Sequence, residues 1–369
     1  MAKKSMMYGG VQFEDFIENY LNRESASICQ FLHFLCIEDI SKHVERAYYA
    51  NNSWHYKYNI SSMIKLFIVM CFRQLSYEKT VASLTEEEAI LLAFYDENGF
   101  IKLPSPKTLH NFVKYRLGED GISEIMVLVG ERILKLAQIK EAKIDSTPLE
   151  ASRYDKYADY NSHYECKMDK AHITMVGTYP VFMTHTNGKA GDSPELITHI
   201  EALNKMNADI DMYSADTGYK AFDNHTDIWY RLDARPVIAY PKNAVISKEG
   251  EIDRIDHWVN KMWKIGGNIH ASIEDKLKFL YENGRVEQVG MYLRNQNMRD
   301  SSFHVLYKKR GECEPKHGHI KDVVKFDIRR VRVESRKLYS LLSFVLYQLL
   351  VLAELQNEIT KRNSFGRFY

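Results

Sequence analysis

Apolar residues recur at helical spacing through roughly the first 140 positions of the chain. Phe13, Phe16, Ile17, Tyr20 and Leu21 stand at i, i+3, i+4, i+7 and i+8 and predict one amphipathic helix. Met63, Ile64, Phe67, Ile68 and Cys71 predict a second, between residues 61 and 75. Leu91 and Phe94 mark a third that begins at Glu86, Glu87 and Glu88, where acids suit the positive end of a helix. The run Leu103-Pro104-Ser105-Pro106 then breaks the pattern, with Ser105 placed to cap a new helix and Pro106 at its first position. Leu109, Phe112, Val113 and Arg116 follow at helical spacing, and Ile122, Ile125, Val129 and Ile133 form another stripe. Short helices around a proline-rich turn, with His110, Lys114 and Arg116 exposed, suit a helix-turn-helix docking on DNA. A plain helical bundle with a solvated basic face is the alternative.

From Glu141 the period changes. Residues 142–146 are a short apolar run ending in acid and hydroxyl, read as a strand. Residues 173–176 and 181–186 read as two strands of a hairpin around Gly177 and Pro180. A helix over 195–206, a strand from Ile210 to Asp216, a helix over 222–230 and a strand over 236–240 follow. Strands alternating with helices predict an α/β fold, a mixed sheet with helices packed on it. Residues 245–298, with Trp258, Trp263 and a Gly-Gly pair, break the rhythm and read as an insertion, either a structural subdomain or a carrier of its own DNA contacts. Residues 303–307 read as a further strand. The apolar run 338–352 is shorter than the ~20 residues of a membrane span and carries Tyr339, Ser340, Ser343 and Gln348, so it reads as a buried helix.

Composition adds two constraints. Lys and Arg number 50 against 49 Asp and Glu, so any polyanion site must come from local arrangement rather than bulk charge. Five scattered cysteines without a CxxC pair read as reduced thiols of an intracellular protein and disfavour a structural zinc site. No apolar run follows the lysines at the N-terminus, so no secretory signal is read there.

Three acids stand out by context. Asp145 in KIDST and Asp216 in SADTGY each end an apolar strand, and Gly218 permits a sharp turn after the second. Glu314 precedes Pro315, which favours the first turn of a helix. Carboxylates converging from two strand ends and a helix suit a pair of Mg2+ ions that activate an attacking oxygen and stabilise a leaving one in phosphoryl transfer. Around Glu314 the order is Tyr307, two residues, Arg310, three residues, Glu314, six residues, Lys321. Glu312, two residues earlier, stays open as the third acid. Between Tyr307 and Lys337 eleven Lys and Arg face five acids, a local excess that suits a DNA track or, more blandly, a solvated face.

The KIDST and SADTGY blocks and the Tyr-Arg-Glu-Lys spacing together resemble the catalytic blocks of the DDE transposases of prokaryotic insertion sequences, in the class with the Tyr-Arg-Glu-Lys signature. SYEKTVASL and LPSPKTLHNFVKYRL resemble the region those enzymes place ahead of the catalytic core, so the likeness covers residues 55–355. The resemblance implies an RNase H-like catalytic domain over 141–357 with the insertion at 245–298, a helical region over 1–140 that binds DNA ends, and a tail over 358–369. It implies that Asp145, Asp216 and Glu314 bind two catalytic Mg2+ ions, with Mn2+ able to substitute. Arg310 and Lys321 would contact phosphates flanking the scissile bond and Tyr307 would hold the DNA end. The implied activity is cleavage at the ends of a mobile element and joining of the freed 3′-OH to target DNA, in the cytoplasm, by a homodimer assembled on paired double-stranded ends. A metal-dependent nuclease without strand transfer and a catalytically inactive DNA-binding derivative are the alternatives. Nothing in the sequence demands a nucleophilic Tyr or Ser.

Overall fold

The computed structural model describes residues 28–34, 37–49, 58–262, 271–324 and 333–356. The stripe predicted from Phe13 to Leu21 lies outside them, as does Trp263. The chain divides into two compact units. One takes Met1–Leu136, Leu149–Ala158 and Gly318–Tyr369, the other Ala137–Pro148 and Asp159–His317.

The first unit is helical. It contains α1 (Ile28–Phe34), α2 (Glu38–Tyr49), α3 (Ile60–Phe72), α4 (Tyr77–Ser83), α5 (Glu86–Leu91), α6 (Pro106–Asn111) and α7 (Gly118–Ala137). Local sequence starts these helices. The Asn59 side chain accepts from the Ser61 N–H at 2.7 Å ahead of α3. Thr85 and Glu88 form a reciprocal capping box at α5, satisfying two N–H groups that the helix cannot. Ser105 caps α6 with Pro106 in its first turn, as the breaker predicts. Helix α3 is buried on every side, Ser61, Ser62 and Lys65 included, so it is a core helix rather than an amphipathic one. Phe94 falls beyond α5, after Ala93 takes a positive φ.

The basic face expected on the segment after Ser105 is only partly exposed. The segment continues from α6 as a π-helix over Phe112–Leu117, and within it Lys114 pairs with Glu334 at 3.2 Å. The His110 ring packs edge-on against Tyr77 and Tyr115, and Arg116 is half-buried.

The last described helix, α15 (Val333–Gln356 in chain order), is longer than the apolar run that predicts it. Its length and composition would suffice to cross a membrane, yet most of it is buried within this unit. Tyr339 meets Phe67 of α3 edge-on, and the Gln348 amide donates to the Met126 carbonyl of α7. Arg336 and Asp155, both nearly sealed from solvent, form an ion pair in the same unit.

The second unit carries the sheet. Strands β1 (Glu141–Glu150), β2 (Asp159–Asn161), β3 (Cys166–Val176), β4 (Tyr179–Asn187), β5 (Met212–Ala215) and β6 (Arg235–Ile238) pair in the order β2-β3-β1-β5-β6, with β4 also on β3. The β3–β4 hairpin is antiparallel, whereas β1–β5 and β5–β6 are parallel. Helices α8 (Leu196–Lys205) and α9 (Phe222–Leu232) supply the crossovers, as parallel neighbours require. This mixed sheet with flanking helices is the RNase H-like α/β arrangement. The hairpin strands run longer than predicted, and the three-residue β2 has no apolar alternation to betray it.

The insertion folds as α10 (Ile252–Met262), α11 (Ile273–Glu282) and α12 (Val286–Arg299) around Ile255, Val259, Leu277, Leu280 and Val289. It is a structural subdomain with its own core. Gly290 lets α12 lie against α9, because a Cβ there would stand 2.1 Å from the Phe222 carbonyl oxygen.

Residues 303–307 are not a strand. They form α13 (Phe303–Lys308), which runs through a 3₁₀ turn (Lys309–Glu312) into α14 (Cys313–Val324). FHVLY is too short for its apolar residues to declare a period. Phe303 is buried, and the half-buried Leu306 and Tyr307 join it against Met212 and Val237, the i, i+3, i+4 spacing of a helix face. Asp300 fixes the start by accepting from the N–H and hydroxyl of Ser302.

Candidate active site

Parallel pairing of β1 with β5 sets the first two acids side by side. Glu141 lies opposite Met212, Ala142 opposite Tyr213 and Lys143 opposite Ser214. The same register carried two residues further brings Asp145 level with Asp216, just past the end of β5. Asp145 accepts from the Ser146 N–H at 3.0 Å. Asp216 accepts from the Gly218 N–H at 2.8 Å and thereby caps the turn Thr217–Tyr219. Both carboxylates are held by backbone, not left to rotate.

The third acid arrives through a ladder of charge. Side chains alternate along a strand, so Glu141, Lys143 and Asp145 share one face of β1. Lys309 reaches Glu141 at 2.6 Å, Glu312 receives Lys143 at 2.6 Å, and Arg310 meets Asp145 at 2.9 Å. Lys143 is almost fully buried and also donates to the Lys309 carbonyl at 3.2 Å. Glu312 is therefore committed to Lys143. Glu314 is exposed in the first turn of α14, where the helix end favours an anion.

Tyr307 and Arg310 sit together. The guanidinium lies 5.6 Å from the centre of the Tyr307 ring, which stacks on Phe303 at 6.0 Å. Arg310 Nε is buried without a hydrogen-bond partner, so part of this cation's donor capacity is unspent. Lys321 is half-buried on α14, seven residues beyond Glu314 and about two turns along the same helix. Of the remaining basic run, Lys325, Arg329, Arg330 and Arg332 lie outside the described residues. Lys309, Arg310, Arg336 and Lys337 are ion-paired within the chain, so the local excess is smaller than the sequence count.

The electrostatics mark Asp145. Burial pushes its carboxyl up to about 6; Arg310 opposes this, while the negative charges of Asp216 and Glu314 add to it. The three acids thus share one field. The Tyr164 and Tyr219 phenols are raised as well, first by burial and then by Asp145, Asp192 and Asp216. Burial pushes the Cys313 thiol up to about 12, which removes it as a thiolate ligand or nucleophile.

Among the described residues no group of three or more His, Cys, Asp or Glu side chains stands close enough to hold a metal ion. The donor chemistry nevertheless fits a hard divalent cation, because the acids are all carboxylates and their mutual repulsion at Asp145 is what such a cation relieves.

Two residues beside this site carry no motif. Asp192 lies just ahead of the turn Ser193–Glu195 and Lys170 on β3, outside the strand and helix that the sequence predicts there. They nevertheless form an ion pair at 2.8 Å, and the Ser146 hydroxyl lies 3.4 Å from Asp192.

The model of the family described as "Transposase DDE domain" matches residues 140–346, from the start of β1 into α15. No curated protein and no solved structure matches the chain.

Proposed function

The chain belongs to the DDE transposase family, and on that premise we propose that it cuts the ends of an insertion sequence and joins the freed 3′-OH to target DNA. Asp145, Asp216 and Glu314 are the proposed metal ligands, within the class that carries the Tyr-Arg-Glu-Lys signature. The observation that carries this reading is the convergence of charge at Asp145, which meets Asp216 across parallel strands and feels Glu314 from the start of α14.

Two Mg2+ ions, or Mn2+ in their place, supply Lewis-acid activation of the attacking oxygen and stabilisation of the leaving oxygen when bound. The chain's own part is placement. Asp145 and Asp216 present oxygens from two adjacent backbone-fixed positions, and Glu314 from a helix start. Arg310 has a carboxylate partner in Asp145 and an unspent buried N–H. Neutralising Asp145 releases this cation for a DNA phosphate, with Tyr307 keeping its plane oriented. Lys321 adds a phosphate contact further along α14. Holding the reacting groups in line converts a bimolecular displacement into a local one. The helical region over 1–140 binds the element ends, the protein works in the cytoplasm, and two copies pair two double-stranded ends.

The test is a strand-transfer assay with pre-cleaved ends and Mg2+. Joined product is the expected outcome, lost in Asp216→Ala with DNA binding retained. Hydrolysis without joining would make the protein a metal-dependent nuclease. Binding with neither reaction would make it an inactive derivative.

A further inference from the structure

We propose that Asp192, balanced by Lys170, is a positioning residue that holds the Asp145 stretch of β1 and the Asp216 turn after β5 in place relative to each other. The inference rests on the assignment of Asp145 and Asp216 as metal ligands. Asp192 sits in the loop after β4, just ahead of the turn Ser193–Glu195. One carboxylate oxygen takes the Lys170 ammonium at 2.8 Å, and Lys170 also donates to the Ala190 carbonyl at 2.8 Å. The other oxygen lies 3.4 Å from the hydroxyl of Ser146, the residue after Asp145.

That second oxygen also abuts the turn that holds Asp216. A Cβ on Gly218 would come within 2.8 Å of Asp192 Oδ2 and 2.9 Å of Asp216 Oδ1. Gly218 thus lets two carboxylates close on one turn. Asn224 clamps the same two segments, its amide donating to the Ser193 carbonyl at 3.0 Å, the Ser193 hydroxyl at 2.9 Å and the Tyr219 carbonyl at 2.9 Å. The Asp192 side chain in this way meets the middle of β1 at Ser146 and abuts the turn after β5 at Gly218.

A further carboxylate beside Asp216 would ordinarily add repulsion. Lys170 and Asp192 are both largely buried, and their charges cancel where water screens them least. His172 lies 3.9 Å from Asp192, is hydrogen-bonded to Tyr219 and Thr186, and is pushed down to about 4, chiefly by burial. Lys170, and not His172, therefore carries the balancing charge. Asp192 acts through its position, and its charge holds that position by anchoring it on the Lys170 ammonium. Loss of such an outer partner commonly costs about 10- to 100-fold in metal affinity or activity.

The probe is Mn2+ alone, titrated calorimetrically into the full-length protein, beside end cleavage in Mg2+ and the thermal midpoint. Asp192→Asn keeps the shape of the side chain and removes its charge. The expected result is Mn2+ affinity and cleavage each down roughly tenfold or more, with DNA binding retained and the midpoint lowered by some degrees, because Lys170 loses its buried counter-charge and keeps the Ala190 carbonyl. Lys170→Met leaves a competing carboxylate, so cleavage falls while Mn2+ binds no more weakly, and adding Asp192→Asn recovers part of that loss. Wild-type Mn2+ affinity and cleavage in a folded Asp192→Asn protein would overturn the proposal. If that variant fails to fold, Gly218→Ala presses on the same two carboxylates, and wild-type behaviour there would overturn it equally. A wild-type protein that binds Mn2+ but never cuts would instead refute the transposase reading, while the Mn2+ titrations of the variants still decide the role of Asp192.

Discussion

Glu312 and Glu314 stand two residues apart, and the structure separates them by what each one touches. Glu312→Gln takes the counter-charge from Lys143, whose side chain is only 5% exposed, and leaves it the Lys309 carbonyl alone. Stripping the partner from a fully buried pair costs about 3 to 5 kcal/mol. Glu312 is itself 59% exposed, so water takes up part of the loss and about 1 to 2 kcal/mol is the reasonable figure. For a unit of this size that lowers the melting midpoint by a few degrees, at about 2 to 4 °C per kcal/mol. Lys143→Met should cost less than Glu312→Gln, because it removes the buried charge and leaves the carboxylate in water. Glu314→Gln gives up only an exposed helix-end interaction of about 0.3 to 1 kcal/mol, and relieves some repulsion at Asp145. Its effect belongs on chemistry, where losing a metal ligand removes orders of magnitude of rate. Differential scanning fluorimetry and an end-cleavage assay on the same three proteins should therefore dissociate. Normal cleavage by Glu314→Gln, or lost cleavage at unchanged stability in Glu312→Gln, would refute the assignment.

Three other perturbations have outcomes fixed by the structure. With chelator present, Asp145 has a folded pKa of about 6, above its ordinary 3.8, so the stability it contributes is complete below pH 3.8 and is lost as pH rises through 6. The stability difference between wild type and Asp145→Asn should accordingly shift by about 2 kcal/mol between pH 4 and 7 in urea titrations, against the wild type. Arg336→Met takes the cation from the buried Asp155 carboxylate, which keeps the Tyr157 N–H, and should cost about 3 kcal/mol by the same titration. Thr85→Ala removes one half of the capping box on α5 and should cost about 1 kcal/mol, with no change in cleavage by the folded protein.

Much of the fold was legible because its signals are local. Ser105-Pro106 caps a helix wherever the tertiary structure puts it, and the Asp216 strand ends where its apolar run ends, whereas β1 runs on past Asp145 to Glu150 and so overturns the expectation that Asp145 closes its strand. The order of acids and the spacing around Glu314 are what single out the candidate site. What escaped depends on partners distant in sequence. Five residues from Phe303 to Tyr307 are apolar enough for either period, and only the contacts with Met212 and Val237 select a helix. The basic run looked like a single track until Arg336 and Lys337 found acids inside the first unit, and Lys309 and Arg310 acids on β1. Asp192 has its cation 22 residues earlier, on β3, and no local pattern could join them.

The ladder between β1 and the segment before α14 explains why a helix from the far side of a long insertion arrives in register. Along one face β1 offers minus, plus, minus at Glu141, Lys143 and Asp145, and the segment answers with Lys309, Glu312 and Arg310. A slip by one alternate position on β1 would set Lys309 against Lys143 and Glu312 against Asp145, like charge on like, with a nearly buried ammonium at the centre. The two outer pairs differ in exposure. Glu141–Lys309 is nearly half exposed and contributes little energy, whereas Asp145–Arg310 is largely buried. Specificity of register therefore rests on the rungs at Lys143 and Asp145, and the second is made from the same Asp145 proposed above as a metal ligand. One strand thus fixes the segment that leads into Glu314 and carries Asp145, so on the proposed assignment the charges that order the site are also those it works with.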